Sequence, residues 1–224
     1  GLGDVYKRQN LNIVVLKFGG TSVADIPQIK NIALKIKLEV EKGNKVIVVV
    51  SAMSGVTNNL INLVKKTSDM PPYSEYDTVI STGEQITSAL LAIALEKISI
   101  KARSWLGWQI PIITDKTYGK SLIEKIKTDN ISKDLESNQV AIVSGFQGVS
   151  SENRITTLGR GGSDTTAVAM AASFLAVRCD IYTDVDGVYT TDPRIVKSAK
   201  KLDMITYEEM LELASQGAKV LQAR

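Results

Sequence analysis

Two short runs constrain this chain more than anything else in it. Residues 11–18 and 46–50 are almost continuously apolar, broken only by Asn12 and Lys17, instead of alternating apolar with polar. A strand with one face in water alternates, so an unbroken run belongs to a strand covered on both faces, the situation of a parallel sheet between helical layers. Gly19 and Gly20 end the first run. Residues 25–42 then place Ile29, Ile32, Ala33, Ile36 and Val40 at helical spacing and close at Gly43 and Asn44 before the second run begins. This is one βαβ unit. The alternation continues with a helix after the loop 51–58, a long helix over 83–97, a strand near 100–105 and a strand over 140–144. An Ala-rich helix over 163–177 and a strand over 180–183 follow. The expected fold is α/β, a three-layer αβα sandwich with a central, mostly parallel sheet. Segments 70–77 and 116–138 carry no clear period.

Composition narrows the chemistry. At 224 residues the chain can bury roughly 70% of the surface its unfolded form exposes, enough for one domain without staples. It has no histidine and a single cysteine, Cys179, which excludes His/Cys zinc sites, Ser-His-Asp triads, Cys-His dyads and internal disulfides. The net charge of +3 is spread along the chain and aromatics are only 5%, so no basic stripe or stacking platform for nucleic acid is expected. The apolar runs over 89–95 and 167–177 fall short of the roughly 18 residues a membrane span requires. Residues 1–9 read as a non-native leader, and the halt at Arg224, directly after Ala218, Val220 and Leu221, reads as the cut end of a longer chain. The folded domain is expected over 10–224.

In open α/β sheets ligands bind beyond the carboxyl ends of strands, which directs attention to five loops. Lys17, Phe18, Gly19, Gly20, Thr21 and Ser22 set a cation and two small residues before a helix, a phosphate cradle or a tight turn with Ser22 as a cap. Ser51 to Asn58 offers hydroxyls that could bind a small polar ligand, while Thr57 could equally cap the next helix. Glu84 opens an apolar helix; the dipole alone would favour it there, and so would a ligand's ammonium. Gly159, Arg160, Gly161, Gly162, Ser163 and Asp164 precede the Ala-rich helix, where three glycines around one arginine suit an anion clamp better than packing. Lastly, residues 182–194 bring Tyr189 and Arg194 beyond a strand end, where they could hold a nucleotide. Three lookalikes fail. Gly119-Lys120-Ser121 has Thr114 where a phosphate loop needs glycine, the Asp184–Gly187 stretch lacks calcium ligands at Tyr182 and Pro193, and Gly159-x-Gly161 lacks the third dinucleotide glycine.

Taken together, the motifs over 17–23, 51–58, 159–166 and 183–194 resemble the aspartokinases of the amino-acid kinase superfamily, and the likeness runs from Ile13 to Arg224. The resemblance implies a carbamate kinase-like fold and ATP-dependent phosphorylation of the L-aspartate side-chain carboxylate, giving 4-phospho-L-aspartate for lysine, threonine and methionine synthesis. Related kinases of glutamate or acetylglutamate, or a non-catalytic nucleotide or amino-acid sensor, are the alternatives. It implies ATP at Lys17, Phe18, Gly19, Gly20, Thr183, Asp184, Tyr189, Arg194, Lys219 and Val220. Aspartate would lie at Ser51, Thr57, Glu84, Arg160, Gly161, Gly162 and Ser163, with Lys17 and Asp164 catalytic. Mg²⁺ is expected on the ATP phosphates and water, with no protein metal site. Also implied are a cytoplasmic location, a homo-oligomeric full-length protein, and no membrane or nucleic-acid partner. The family usually continues into ACT-type regulatory domains, which this sequence does not reach; where the family often shows His-Pro-Arg, this chain has Gln222-Ala223-Arg224.

Overall fold

The computed structural model describes residues 12–185, 187–191 and 195–215. The chain divides into two units between Tyr182 and Thr183. In the first, the elements run β1 (Ile13–Phe18), α1 (Ile26–Glu41), β2 (Lys45–Val50), α2 (Val56–Thr67), α3 (Tyr73–Ile80), α4 (Thr82–Lys97), β3 (Ala102–Trp105), β4 (Ile112–Thr114), β5 (Ile123–Ile126), α5 (Asp129–Glu136), β6 (Val140–Ser144), β7 (Gln147–Ser150), β8 (Ile155–Thr157), α6 (Gly162–Ser173) and β9 (Arg178–Tyr182).

Five strands form a central sheet in the order β3-β6-β2-β1-β9. Every neighbouring pair is parallel, so all five carboxyl ends lie along one edge. β1 is buried at all six positions, as its unbroken apolar character requires. Its side chains alternate between two cores. Val14, Leu16 and Phe18 pack with Ile29, Ile32 and Ile36 of α1 and with Leu91 and Leu95 of α4. Ile13 and Val15 pack on the opposite face with Ala167 and Met170 of α6, with Phe174 just after it, and with Ile131 and Leu135 of α5. Period-two geometry therefore turns Lys17 toward the α6 layer and Phe18 away from it. Asp25 starts α1 by accepting a 2.8 Å hydrogen bond from the Gln28 N–H, with Pro27 in the first turn.

The Ala-rich helix ends four residues before the expected Val177. Phe174 caps it, Leu175 takes φ +51° and Val177 donates its N–H to Ile13 O, so the chain has already turned into β9. That strand accordingly lies at Arg178–Tyr182 and not at 180–183. The segment 70–77 contains the start of a helix, α3. A second, four-stranded sheet in the order β5-β4-β7-β8 was not expected. It is mixed, with β4 parallel to β7 and the other two pairs antiparallel. Its interior is partly polar: Thr114 and Thr156 share a 2.6 Å hydroxyl–hydroxyl hydrogen bond, and both are buried.

The apolar-run count also needs correcting. The helical stretch Tyr73–Lys97 is 25 residues and, by length and composition, apolar enough to cross a bilayer. It packs instead on the sheet through Leu91 and Leu95, and it carries Asp77 and Glu84 inside the protein. Its hydrophobicity serves a core.

In the second unit, β10 (Val188–Tyr189) pairs antiparallel with β11 (Lys201–Leu202). α7 (Tyr207–Ser215) starts with a reciprocal cap, the Glu209 N–H donating to Thr206 Oγ1 at 3.2 Å and the Thr206 N–H to Glu209 Oε2 at 2.9 Å.

Candidate active site

Three of the five loops singled out in the sequence follow strands of the parallel sheet, β1, β2 and β9; the Arg160 loop follows β8 of the second sheet, and Glu84 lies between two helices. After β1, Gly19 donates its N–H to Tyr182 O at the end of β9. After β2, Ser51 donates to Phe18 O, and after β6 Gly145 donates to Val50 O. These bonds lash neighbouring strand ends together, so whatever the loops carry is held at fixed spacing.

Lys17 is 7% exposed, and its Nζ lies 2.7 Å from Asp164 Oδ1 in the first turn of α6. A buried ammonium needs a compensating charge, and Asp164 supplies it where the dipole of α6 also favours an anion. A Cβ on Gly19 would lie 3.3 Å from Lys17 Nζ, and one on Gly20 would lie 3.1 Å from Ala52 O. The Gly-Gly turn thus closes over the lysine; the Gly19 N–H is spent on Tyr182 O, and the Gly20 N–H is left for an anion. Phe18 is different: its ring stacks on Tyr182 at 4.7 Å in the opposite core, and its carbonyl already accepts the Ser51 N–H.

Glu84, in the first turn of α4, is 4% exposed. Its Oε1 accepts a 3.0 Å hydrogen bond from the Ala52 N–H, and Oε2 has no partner among the described residues. Burial pushes its carboxyl up to about 7, against the pull of the Ala52 N–H. Gly83 explains the closeness, since a Cβ there would lie 2.7 Å from Ala52 Cβ. A buried carboxylate with one oxygen unpartnered among the described residues differs from an ordinary exposed helix cap. Ser51 and Thr57 are half-buried at the same edge.

Arg160 is exposed and makes no ion pair among the described residues. Gly161 takes φ +72° at the start of α6, a left-handed conformation that suits glycine. Gly162 corrects the expectation that these glycines have no packing reason. A Cβ on it would lie 2.8 Å from Phe146 Cδ2 and 2.9 Å from Leu158 Cβ. Gly162→Ala is therefore expected to destabilise the fold by about 1–3 kcal/mol, read as a lower melting temperature. Ser163 is buried, its Oγ lying where a Cβ on Gly145 would come within 2.8 Å.

In the second unit, Thr183 and Asp184 are exposed, with Thr183 Oγ1 donating to Asp184 Oδ1 at 3.3 Å, and Tyr189 is half-buried. Arg194, Lys219 and Val220 lie outside the described residues. Sequence reasoning passed over Ala52, whose N–H satisfies Glu84, and Ser144, whose Oγ reaches Glu84 O at 3.4 Å and Ser88 Oγ at 2.9 Å. Strand-end position was the available signal for both.

The amino acid kinase family model matches residues 12–224. The chain belongs to the amino acid kinase family. It is 55% identical over 215 residues to an aspartokinase of Rickettsia felis and 54% identical over 212 residues to aspartate kinase Ask_LysC of Stutzerimonas stutzeri, each match covering 95% of this chain. These matches cover 54% and 52% of those relatives, so this amino acid kinase chain spans about half their length. Among solved structures, aspartate kinase from Synechocystis superposes with TM-score 0.81 at 46% identity, covering 94% of this chain and 35% of that one. E. coli aspartokinase III, solved with aspartate and ADP, gives 0.83 at 30% identity over 94% of this chain and 58% of its own.

Proposed function

We propose that this chain forms the catalytic part of an aspartate kinase, transferring the γ-phosphoryl group of ATP to the side-chain carboxylate of L-aspartate. The reading is carried by one observation: a buried cation, Lys17 near the end of β1, and a buried carboxylate with a free oxygen, Glu84 of α4, which is tied to Ala52 just after the neighbouring strand β2. It gains weight from the relative solved with aspartate and ADP. Glu84 would take the substrate ammonium and Arg160 its α-carboxylate, with Ser51, Thr57, Gly161, Gly162 and Ser163 shaping the pocket. The side-chain carboxylate is left to face the nucleotide. Thr183, Asp184, Tyr189, Arg194, Lys219 and Val220 would hold ATP together with Lys17 and residues 18–20.

The nucleophile has an ordinary pKa near 3.9, so it is ionised at neutral pH and needs no general base. The absence of histidine is then immaterial to the reaction. A carboxylate oxygen forms a bond to Pγ, the bond from Pγ to the β,γ-bridging oxygen breaks, and that oxygen leaves with ADP. Lys17 and the Gly20 N–H stabilise charge on the transferring oxygens, and Asp164 keeps the lysine aimed. Magnesium, when bound, neutralises phosphate charge. It would ride on ATP oxygens and water, with no protein cage. The proposal extends to a cytoplasmic setting and to a homo-oligomeric full-length protein, which light scattering of that protein checks.

A coupled ADP-release assay with aspartate, glutamate, acetylglutamate and UMP tests the reaction. Turnover with aspartate is expected. Binding without turnover, or turnover only with another acceptor, overturns it. Arg160→Ala is expected to raise the aspartate KM about 10- to 100-fold, the worth of a charge-assisted hydrogen bond, and to leave the ATP KM nearly unchanged. A rise confined to ATP would reverse the assignment of the two ligands.

A further inference from the structure

Asp77 is fully buried in α3, and the mechanism above does not use it. Its Oδ2 accepts the Gly119 N–H at 2.9 Å and the Thr157 N–H at 2.8 Å, and its Oδ1 accepts Thr157 Oγ1 at 2.8 Å. Burial raises its carboxyl pKa and these donors pull it back. The partners are distant in sequence and telling in position. Helix α3 runs through Ser81 into α4, whose first turn carries Glu84, while Thr157 closes β8 and leads directly into the loop that carries Arg160. Gly119 belongs to the turn that mimics a phosphate loop; it takes φ +79°, and its neighbour Ser121 donates its N–H to Thr157 O at 2.9 Å. Two contacts back up the link. Gln147 Nε2 donates to Ser81 O at 2.9 Å, and Arg154 pairs with Glu75.

We propose that Asp77 is a positioning residue that clamps α3 to the end of β8, fixing the separation between Glu84 and the Arg160 loop. The functional half of this inference rests on the reading of those two residues as the ammonium and carboxylate ends of an aspartate site. A clamp of this kind sets how the amino acid lies and leaves the Lys17 end alone. Its loss should therefore split the two Michaelis constants, whereas a general loss of packing would move both.

The test combines hydrogen exchange with steady-state kinetics on the chain carrying Asp77→Ala, Asp77→Asn or Thr157→Val. Asp77→Ala is expected to speed exchange of amides 158–163 about tenfold while β1 and β2 stay protected. It should raise the aspartate KM about tenfold, with the ATP KM changing less than twofold. Asp77→Asn should restore both readouts, because the amide oxygen can accept the two backbone N–H groups while Nδ2 donates to Thr157 Oγ1. Thr157→Val keeps the shape and loses one donor, so it should show the same pattern more weakly, and it decides the matter if Asp77→Ala does not fold. Unchanged exchange over 158–163 overturns the clamp. Faster exchange with an unchanged aspartate KM, or an equal rise in both constants, overturns its positioning role. If the parent chain turns over no aspartate, the kinase reading fails and exchange alone judges the clamp.

Discussion

Lys17→Met is expected to lower kcat by about 10²-fold or more and to leave the fold standing. The loss is the scale of removing one donor aimed at transition-state charge. The fold should survive with a lowered melting temperature: methionine fills a similar volume, but removing one partner of a buried pair leaves the other uncompensated. The orphaned partner is tolerable: the Asp164 side chain is 21% exposed and sits in the first turn of α6, where the dipole favours an anion. Single-turnover kinetics together with a melting curve check both halves. A kcat within threefold of the parent would remove Lys17 from the chemistry, and a collapsed melt would assign it to the fold.

Glu84→Gln should bring opposite changes in activity and stability. The charge that meets the substrate ammonium disappears, so the aspartate KM is expected to rise about 10²-fold. In the parent protein, Glu84 has a folded pKa of about 7 against 4.5 in the unfolded chain. The folded state therefore binds the proton more tightly, and stability falls as pH climbs through the interval between those values and then levels off. The full difference is about 3 kcal/mol. Glutamine does not titrate, so the variant lacks this slope. Relative to the parent it should gain several degrees of melting temperature between pH 5 and pH 8, even though its amide nitrogen is left without a partner. The parent's aspartate KM should rise as pH falls below about 7, where the carboxylate is neutralised, and the variant's should not. Parallel melting curves for the two proteins would contradict the assignment.

Much of this was legible in the chain because parallel strands advertise themselves. β1, β2 and β6 lie where unbroken apolar residues put them, and the glycines at 19, 20 and 145 mark the ends of β1 and β6. The second sheet was hidden for the converse reason. Its strands are only three or four residues long, and some of its buried positions are threonines and serines that a hydropathy reading sends to the surface. Lys17, Glu84 and Asp164 were visible because charges flanking apolar segments are costly without a purpose. Asp77 was not: the charge balance of its helix says nothing about a threonine eighty residues away. Gly162 was noticed for its neighbours and misjudged, since only coordinates reveal that Phe146 and Leu158 occupy the space a methyl group would need.

The uniform direction of the five central strands leaves two rims with separate duties. The rim where β2 and β6 begin, around Gly43, Asn44, Lys45 and Asn138, holds turns, with Gly43 at φ +84°, a conformation that glycine adopts without strain. A dye or a surface tether attached to this rim would sit a full strand length from the carboxyl edge, so the protein could be immobilised or watched one molecule at a time with that edge left clear.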